Sequence, residues 1–442
     1  MIEMKNSGVD WIGEIPAHWE VKRLKDVAYL YSGLTGKAGD DFTPEQEPGT
    51  KPYIPFTNVL NNNEVNPQIV GYVRINEQEQ QNKVQENDLI FLMSSEDYES
   101  IAKASVVSQK IGEVYLNSFC RGLRPTSKQI YSKFLNYLLS ANNCRDALRF
   151  EARGFTRINI KIDKIASHII FYPPIAEQQA IADYLDEKTA EIDEQISLLE
   201  QKQKAYVNLK QSLISQVVTR GLNPNAPLKN SGIDWIGEIP AHWEIRRLKD
   251  IANFYTGNSL NESEKEIYGE NRNPNSLPYI GTKDVERNKS QINYNSGYSI
   301  PNDDTSFAIA PKGATLICVE GGSAGKKIGF LEQDVCFVNK LCCAKSLIDN
   351  DKFVYYYFNT NLFVNQFNRL LQGMIGGVSI NKIKCMLFFV PPIEEQQAIA
   401  DYLDEKTAEI DEQISNIDKK INTYKRLKQS LIDEVVTGKR KI

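Results

Sequence analysis

Apolar residues recur at alternating three- and four-residue intervals along two long stretches of this 442-residue chain. The first seam runs Leu185, Thr189, Ile192, Ile196, Leu199, Gln203, Tyr206, Lys210, Leu213, Val217. The second runs Leu403, Thr407, Ile410, Ile414, Ile417, Ile421, Tyr424, Lys428, Leu431, Val435. That spacing predicts amphipathic helices that pair through a heptad seam. Pro173-Pro174 suits a first helical turn, and Glu177 sits near the positive end of the helix dipole. No proline or glycine follows until Gly221 and Pro224, so helix is predicted over about 176–218, roughly 60 Å at ~1.5 Å per residue. Leu209 and Leu427, one position before the seam lysines, are expected to fill the seam there. The partner of each helix is either the other copy or its counterpart in a second chain.

Shorter patterns fill the stretches between. Apolar runs at 53–56, 89–93, 106–107 and 114–116, and at 278–280, 315–319, 328–331 and 336–338, read as strands. Polar turns such as Asn61-Asn62-Asn63 and residues 271–276 separate them. Amphipathic helices are predicted at 132–149 and 352–371, and the aromatics of the second, Tyr355, Tyr356, Tyr357 and Phe358, read as core. The expected class is α+β.

The chain also repeats itself. NSGVDWIGEIPAHWEVKRLKDVAYLYSG, starting at Asn6, returns as NSGIDWIGEIPAHWEIRRLKDIANFYTG, starting at Asn230. The block from Pro173 to Ser197 returns from Pro391 to Ser415 with Ala176 against Glu394 as its one change. Between the copies lie two inserts, roughly 34–172 and 258–390, that hardly resemble each other. A shared frame around unlike inserts suits a protein that reads two different things with one scaffold. Val436 ends the second helix, and the Asn6 block is expected beside that end, as the Asn230 block follows Val218.

Charge sharpens this picture. The formal net charge is −5, but residues 173–200 carry −7 and 391–418 carry −8, which leaves +10 for the rest. Basic inserts favour phosphate, whereas the acidic helix faces are either solvated or dock another subunit. Arg145, Arg149, Arg153 and Arg157 fall every fourth residue, with Thr156, Asn159, Lys161 and Lys164 close by. Gly154 is expected to end the helix, so the first arginines share a helix face and the rest follow on a loop or strand. Arginine forks suit phosphates and guanine edges. The second insert offers Lys283, Lys326, Lys327, Arg369, Gln372, Asn381 and Lys382. An exposed basic face without a ligand is the competing reading.

Other chemistry is thinly represented. Only His18, His168 and His242 occur, and the seven cysteines lack a CxxC pair, so a zinc site or histidine triad is not expected. Buried reduced thiols in a cytoplasmic protein are expected instead. No apolar run approaches the ~20 residues of a membrane span, and the N-terminus lacks a signal pattern. Residues 321–326, GGSAGK, resemble a phosphate loop, but Glu320 stands where its first glycine belongs and Lys327 where its Ser or Thr belongs. Carboxylates such as Asp88, Glu96 and Asp97 allow a nuclease reading, and the coiled coil allows an interaction scaffold with two binding domains.

The duplicated WIGEIPAHWEVKRLKDVA and PPIAEQQAIADYLDEKTAEID blocks, each reached through a strand-like stretch (154–160 then 169–174; 377–381 then 387–392), resemble the specificity subunits of type I restriction-modification systems over essentially the whole chain. The resemblance implies two target recognition domains in a pseudo-two-fold arrangement, separated by two long antiparallel coiled-coil helices. The corresponding division is 1–172 and 225–390 for the recognition domains, with 173–224 and 391–442 as the repeated helices. Double-stranded DNA carrying an asymmetric, bipartite site would be the target. Two methyltransferase subunits, and restriction subunits beside them, would be the partners and carry the cofactor-dependent chemistry. This chain would hold no cofactor and no metal and catalyse nothing. Longer helices would change the gap between half-sites, not the half-sites themselves. Leu185, Ile192, Ile196, Leu199, Tyr206 and Leu213 would pair with Leu403, Ile410, Ile414, Ile417, Ile421, Tyr424 and Leu431.

Overall fold

A computed structural model describes the chain except residues 1–2, 77, 234–235, 271–274, 287–291, 296, 348 and 372–375. Two compact units emerge: Met1–Leu198 with Lys420–Ile442, and Leu199–Lys419. Both boundaries fall inside the long helices, Ile175–Arg220 and Ile393–Val436. Each unit therefore owns the first half of one long helix and the second half of the other.

Within the first unit, a four-stranded antiparallel sheet has the order Ala104–Val106, Leu89–Leu92, Cys120–Pro125, Ala28–Ser32. Beside it Thr50–Ile54 pairs parallel with Tyr115–Leu116 and antiparallel with Gly71–Arg74. The second unit repeats this design with Ile328–Phe330, Thr315–Cys318, Leu341–Ser346 and Ala252–Thr256 in one sheet. In its other sheet Ser276–Ile280 pairs parallel with Val335–Phe337 and antiparallel with Ser299–Pro301. The unlike inserts thus share one topology. The second sheets differ at an edge: Phe42–Thr43 joins Gly71–Arg74 in the first unit, whereas Ile309–Ala310 joins Val335–Phe337 in the second.

The repeated blocks form one joint in each unit. Glu20–Arg23 pairs antiparallel with Ile169–Tyr172, the strand that feeds the first long helix, and Glu244–Arg247 does the same with Leu387–Val390. Trp19 is buried against Phe134 and Phe171, and its indole N–H donates to Glu177 (3.2 Å), which also meets His18 Nε2 at 2.8 Å. Trp243, His242 and Glu395 reproduce this at 3.1 and 2.7 Å. Each long helix closes on a glycine in the left-handed region, Gly221 at φ +75° and Gly438 at φ +71°, where a side chain would be strained. A Cβ on Gly438 would strike Pro16 and approach Trp19, and one on Gly221 would approach Trp243. The end of the second long helix therefore lies against the first block, as the sequence predicts.

Antiparallel pairing is visible inside the second unit, where Gln203 donates to Asp418 (2.6 Å) and Lys210 pairs with Asp411 (2.6 Å). In the first unit Lys428 pairs with Asp193 at 2.6 Å. Leu185 and Leu431 share the first unit's core, and Leu403 that of the second. Ile196, Ile410, Ile417 and Ile421 are also buried, whereas Ile192, Leu199, Tyr206, Leu213, Ile414 and Tyr424 are half-buried. The expectation for Leu209 and Leu427 is overturned, since both are exposed. A long stem lets each seam lysine cross the seam to a carboxylate, so no leucine is needed there.

The expected helices at 132–149 and 352–371 are each broken in two: Ser132–Ser140 and Asn142–Phe150, then Asp351–Phe358 and Asn361–Leu370. The long helices supply the reason. Asp433 accepts from Asn142 N (2.9 Å) and Nδ2 (2.7 Å), and Ser215 Oγ accepts from Asn361 N (3.0 Å). Each bond satisfies an N–H that a continuous helix would have paired internally. Part of the acidic helix face is likewise spent within each unit. Asp186 accepts from Tyr137 and Lys133, and Asp404 from Tyr356 and Lys352. Tyr355 to Phe358 are buried core. Six cysteines are buried and Cys385 is exposed.

His168 stacks on Trp11 (centroids 5.4 Å apart), and its buried Nε2 has no hydrogen-bond partner among the described residues. Burial pushes its pKa down to about 4. The unfolded chain, near 6.5, then binds the extra proton first, so this contribution is intact above pH 6.5 and lost as pH falls towards 4. The loss amounts to roughly 3 kcal/mol at one pKa unit per ~1.4 kcal/mol. His168→Phe should flatten the stability–pH curve of the first unit between those limits, and an unchanged slope would refute the assignment.

Candidate nucleic-acid interface

In the first unit the loop 151–160 returns beside the end of the strand Leu89–Leu92. Ile158–Asn159 pairs antiparallel with Ser94–Ser95, Arg153 bridges Asn159, and Ile160 N donates to Met93 O. Only these two residues of the strand-like stretch are strand, and residues 154–157 are loop. Gly154 allows the bend, since a Cβ there would collide with the carbonyl of Arg157.

That bend drives Phe155 fully into solvent, at 103% relative exposure, with Phe150 at 76%. Around it stand Tyr98, whose hydroxyl donates to Gly154 O (3.3 Å), and Phe119, whose ring lies 4.4 Å beneath the Arg157 guanidinium. Arg157 also donates to Ser94 Oγ (2.9 Å), and Arg153 lies 5.9 Å from the Phe150 ring. Thr156, Asn159 and Lys161 are exposed alongside. Four partly or fully exposed aromatics set among cations form a surface to which a base or a sugar–phosphate can be held by stacking and charge together.

The four arginines do not share one exposed face. Arg145 is buried, donating through Nη2 to Glu99 O at 2.6 Å, because its position on the helix Asn142–Phe150 faces the body of the unit. Arg149 is held by Asp146 (3.1 Å) and Glu99 (2.7 Å). The helix ends at Phe150, before Gly154, so Arg153 and Arg157 leave its axis. Lys164 pairs with Glu151 at 2.7 Å.

The second unit builds the equivalent edge from backbone. Glu320 bridges Gly377, Gly321 N donates to Gly376 O, and Val378 N donates to Val319 O. The glycine-rich segment 321–326 is therefore a turn at this edge. A Cβ on Gly325 would press into the Phe367 ring. Lys326 is exposed, and Lys327 donates to Thr282 O (2.8 Å), next to exposed Lys283. Arg369 and Asn381 are exposed and Lys382 is half-buried, while Gln372 lies outside the described residues.

Sequence reasoning passes over Tyr98, Phe119, Phe150 and Phe155. Periodicity assigns aromatics to core, and only the glycine before Phe155 signals a bend that would expel it. Asp88, a carboxylate of the nuclease reading, is fully buried and bound to Arg124 at 2.7 Å. Among the described residues no group of three or more His, Cys, Asp or Glu is placed to hold a metal ion. Nor is any helix there long and apolar enough to cross a membrane.

Relatives place this arrangement. A putative type I restriction enzyme MjaX specificity subunit of Methanocaldococcus jannaschii is 25% identical over 97% of this chain and 95% of its own length. The type I restriction enzyme StySPI specificity subunit of Salmonella potsdam is 23% identical over 96% and 90%. A chain from a solved type I restriction-modification system shares the fold with a TM-score of 0.70 at 16% identity, covering 96% of this chain and 99% of that one. The family profile described as "Type I restriction modification DNA specificity domain" matches twice, at residues 16–203 and 240–421. With both copies matched across most of its length, the chain belongs to the type I restriction modification DNA specificity family.

Proposed function

We propose that this chain is the DNA sequence-recognition subunit of a type I restriction-modification complex and contributes no catalysis of its own. The observation that carries the reading is one topology built twice with unlike exposed residues at the same edge. The first edge presents exposed Phe155, Arg153 and Arg157, and the second presents exposed Lys326 beside half-buried Lys327. Two different edges suit an asymmetric, two-part duplex site. Phosphate contacts would supply affinity and a few base contacts would supply sequence. Residues 1–172 and 225–390 would serve as the recognition domains, and 173–224 and 391–442 as the repeated helices. Exposed acids left over from the internal pairs, such as Glu194, suit docking of two methyltransferase subunits, with restriction subunits joining the assembly. The work of such a complex would be cytoplasmic.

The scaffold reading explains the acidic helices but not the cations and aromatics of the first edge. Single-molecule mapping of modified adenines in cells carrying this chain and its methyltransferase tests the choice. A gapped, asymmetric motif that vanishes when the chain is deleted is expected. Unchanged modification, with an active methyltransferase, would favour the scaffold.

A further inference from the structure

A second basic site lies in the first unit, lined by none of the residues of the loop 151–160. A cleft of about 470 Å³ opens between the segment 99–104, the helix Asn142–Phe150 and the paired long-helix segments. Arg145, Lys103, Lys425 and Lys428 line it, opposed by Asp193, which pairs with Lys428, and by Glu99, whose carboxylate pairs with Arg149 outside the lining, so the cleft is net positive.

Its cations are unevenly satisfied. Lys428 is paired with Asp193 at 2.6 Å, and Lys103 donates to Leu60 O at 2.5 Å. Exposed Lys425 has no ion pair among the described residues. Arg145 is 93% buried, with Nη2 on Glu99 O, while its buried Nη1 has no hydrogen-bond partner among the described residues. A buried guanidinium N–H left unmade is costly, and an anion would relieve it. The electrostatics agree. Burial, then the neighbouring Arg149, pushes Arg145 down to about 10, and burial with Arg145 lowers Lys103 from the ordinary lysine range. Each group would regain its charge preference beside an anion.

We propose that this cleft is a phosphate site, taking a free phosphate dianion with Arg145, Lys103 and Lys425 as donors. A dianion suits a cleft with several unneutralised cations, and a tetrahedral group can accept from donors arriving from three directions. A duplex backbone offers one charge per phosphate on a rod too wide to enter a cleft of this size, so the free dianion is favoured over DNA. The repeat-equivalent cleft of the second unit holds Lys210, Gln211, Ile214 and Ile414 where the first holds Lys428, Gln429, Ile432 and Ile196, but has Val207 in place of Lys425.

Titration calorimetry of the full chain with inorganic phosphate tests this. One site per chain is expected, tighter at about pH 8 than at about pH 5.5, where the monoanion dominates. Arg145→Met, which keeps the stem, should weaken binding about tenfold or more, as loss of a charged hydrogen bond predicts. Lys425→Gln alters an exposed side chain, so folding is spared, and should weaken binding several-fold. Arg153→Ala/Arg157→Ala should leave it unchanged. No saturable binding, or equal binding by Arg145→Met and Lys425→Gln, would overturn the site. Displacement of phosphate by a duplex lacking the target sequence would reassign the ligand to DNA and overturn the free-anion assignment.

Discussion

Asp88→Ala is expected to remove about 3–5 kcal/mol from the first unit, a large part of the ~5–15 kcal/mol that stabilises a typical domain. The carboxylate is fully buried at the start of the strand Leu89–Leu92. It accepts from Arg124 Nε (2.8 Å) and Nη2 (2.7 Å), from the Tyr31 hydroxyl (2.5 Å) and from Gln85 N (2.8 Å). Burial and Asp88 together push the Tyr31 hydroxyl well above the usual tyrosine range, so it remains a donor. Deleting the carboxylate leaves the Arg124 Nε–H, the Tyr31 hydroxyl and the Gln85 N–H without their acceptor at once, although the guanidinium keeps Lys83 O and the Tyr29 hydroxyl. The charge network itself need not be stabilising overall. An apolar replacement, Asp88→Leu with Arg124→Met and Tyr31→Phe, should recover most of the loss. Chemical denaturation of the three proteins decides. A shift below about 1 kcal/mol in the single variant would show that the network carries little. The same pairs explain why Asp88 is unsuited to metal-dependent cleavage, since its oxygens are already occupied.

What can be read from the chain divides along physical lines. The long helices are legible because a seam over forty residues has no competing interpretation, and proline and glycine mark its ends. The core assignment of Tyr355 to Phe358 rests on the aromatic side chains themselves, whose large apolar area favours burial. The break at Ala141 is not legible, because it depends on Asp433, 291 positions from Asn142. The break at Asn359-Thr360 has a local mark, since Thr360 caps the next helix by accepting from Phe363 N, and Ser215, 146 positions from Asn361, adds to it from afar. Leu209 and Leu427 mislead because apolar character alone favours a leucine over a lysine in a seam, although the lysine finds a carboxylate across it. The shared topology of the inserts is hidden because strand pairing specifies alternation and burial, not identity. Thr315–Cys318 and Leu89–Leu92 do the same work with different residues. The interface is half legible: charge marks Arg153 and Arg157, and Gly154 marks a bend, but the direction of a side chain after a bend is a property of the backbone, so the bend alone does not place Phe155 in solvent.

Truncating the exposed loop should separate recognition from folding. The triple variant Arg153→Ala/Phe155→Ala/Arg157→Ala is expected to lose on the order of 100-fold or more in affinity for the cognate duplex, from stacking and cation interactions worth ~1–3 kcal/mol each. Phe155 gives the cleanest single test. At full exposure its ring packs against nothing, so Phe155→Ala should leave thermal stability unchanged. DNA affinity should fall about tenfold, with recovery in Phe155→Trp, because stacking needs a flat face more than a particular residue. Arg157 is less clean, because it also holds Ser94 and covers Phe119. Its role is read from salt dependence. If Arg157 binds a phosphate, Arg157→Ala lowers the slope of log affinity against log salt by about one. If it reads a base edge, the same variant relaxes the sequence preference at one position and leaves the slope nearly intact. Either effect should be confined to one half of the target, because the second edge is built from other residues. Adenine mapping with the triple variant should therefore show degeneracy in one half-site beside an unaltered second. Equal loss at both halves would mean that the loop acts on assembly of the complex, and unchanged affinity and slope would remove the loop 151–160 from the interface altogether.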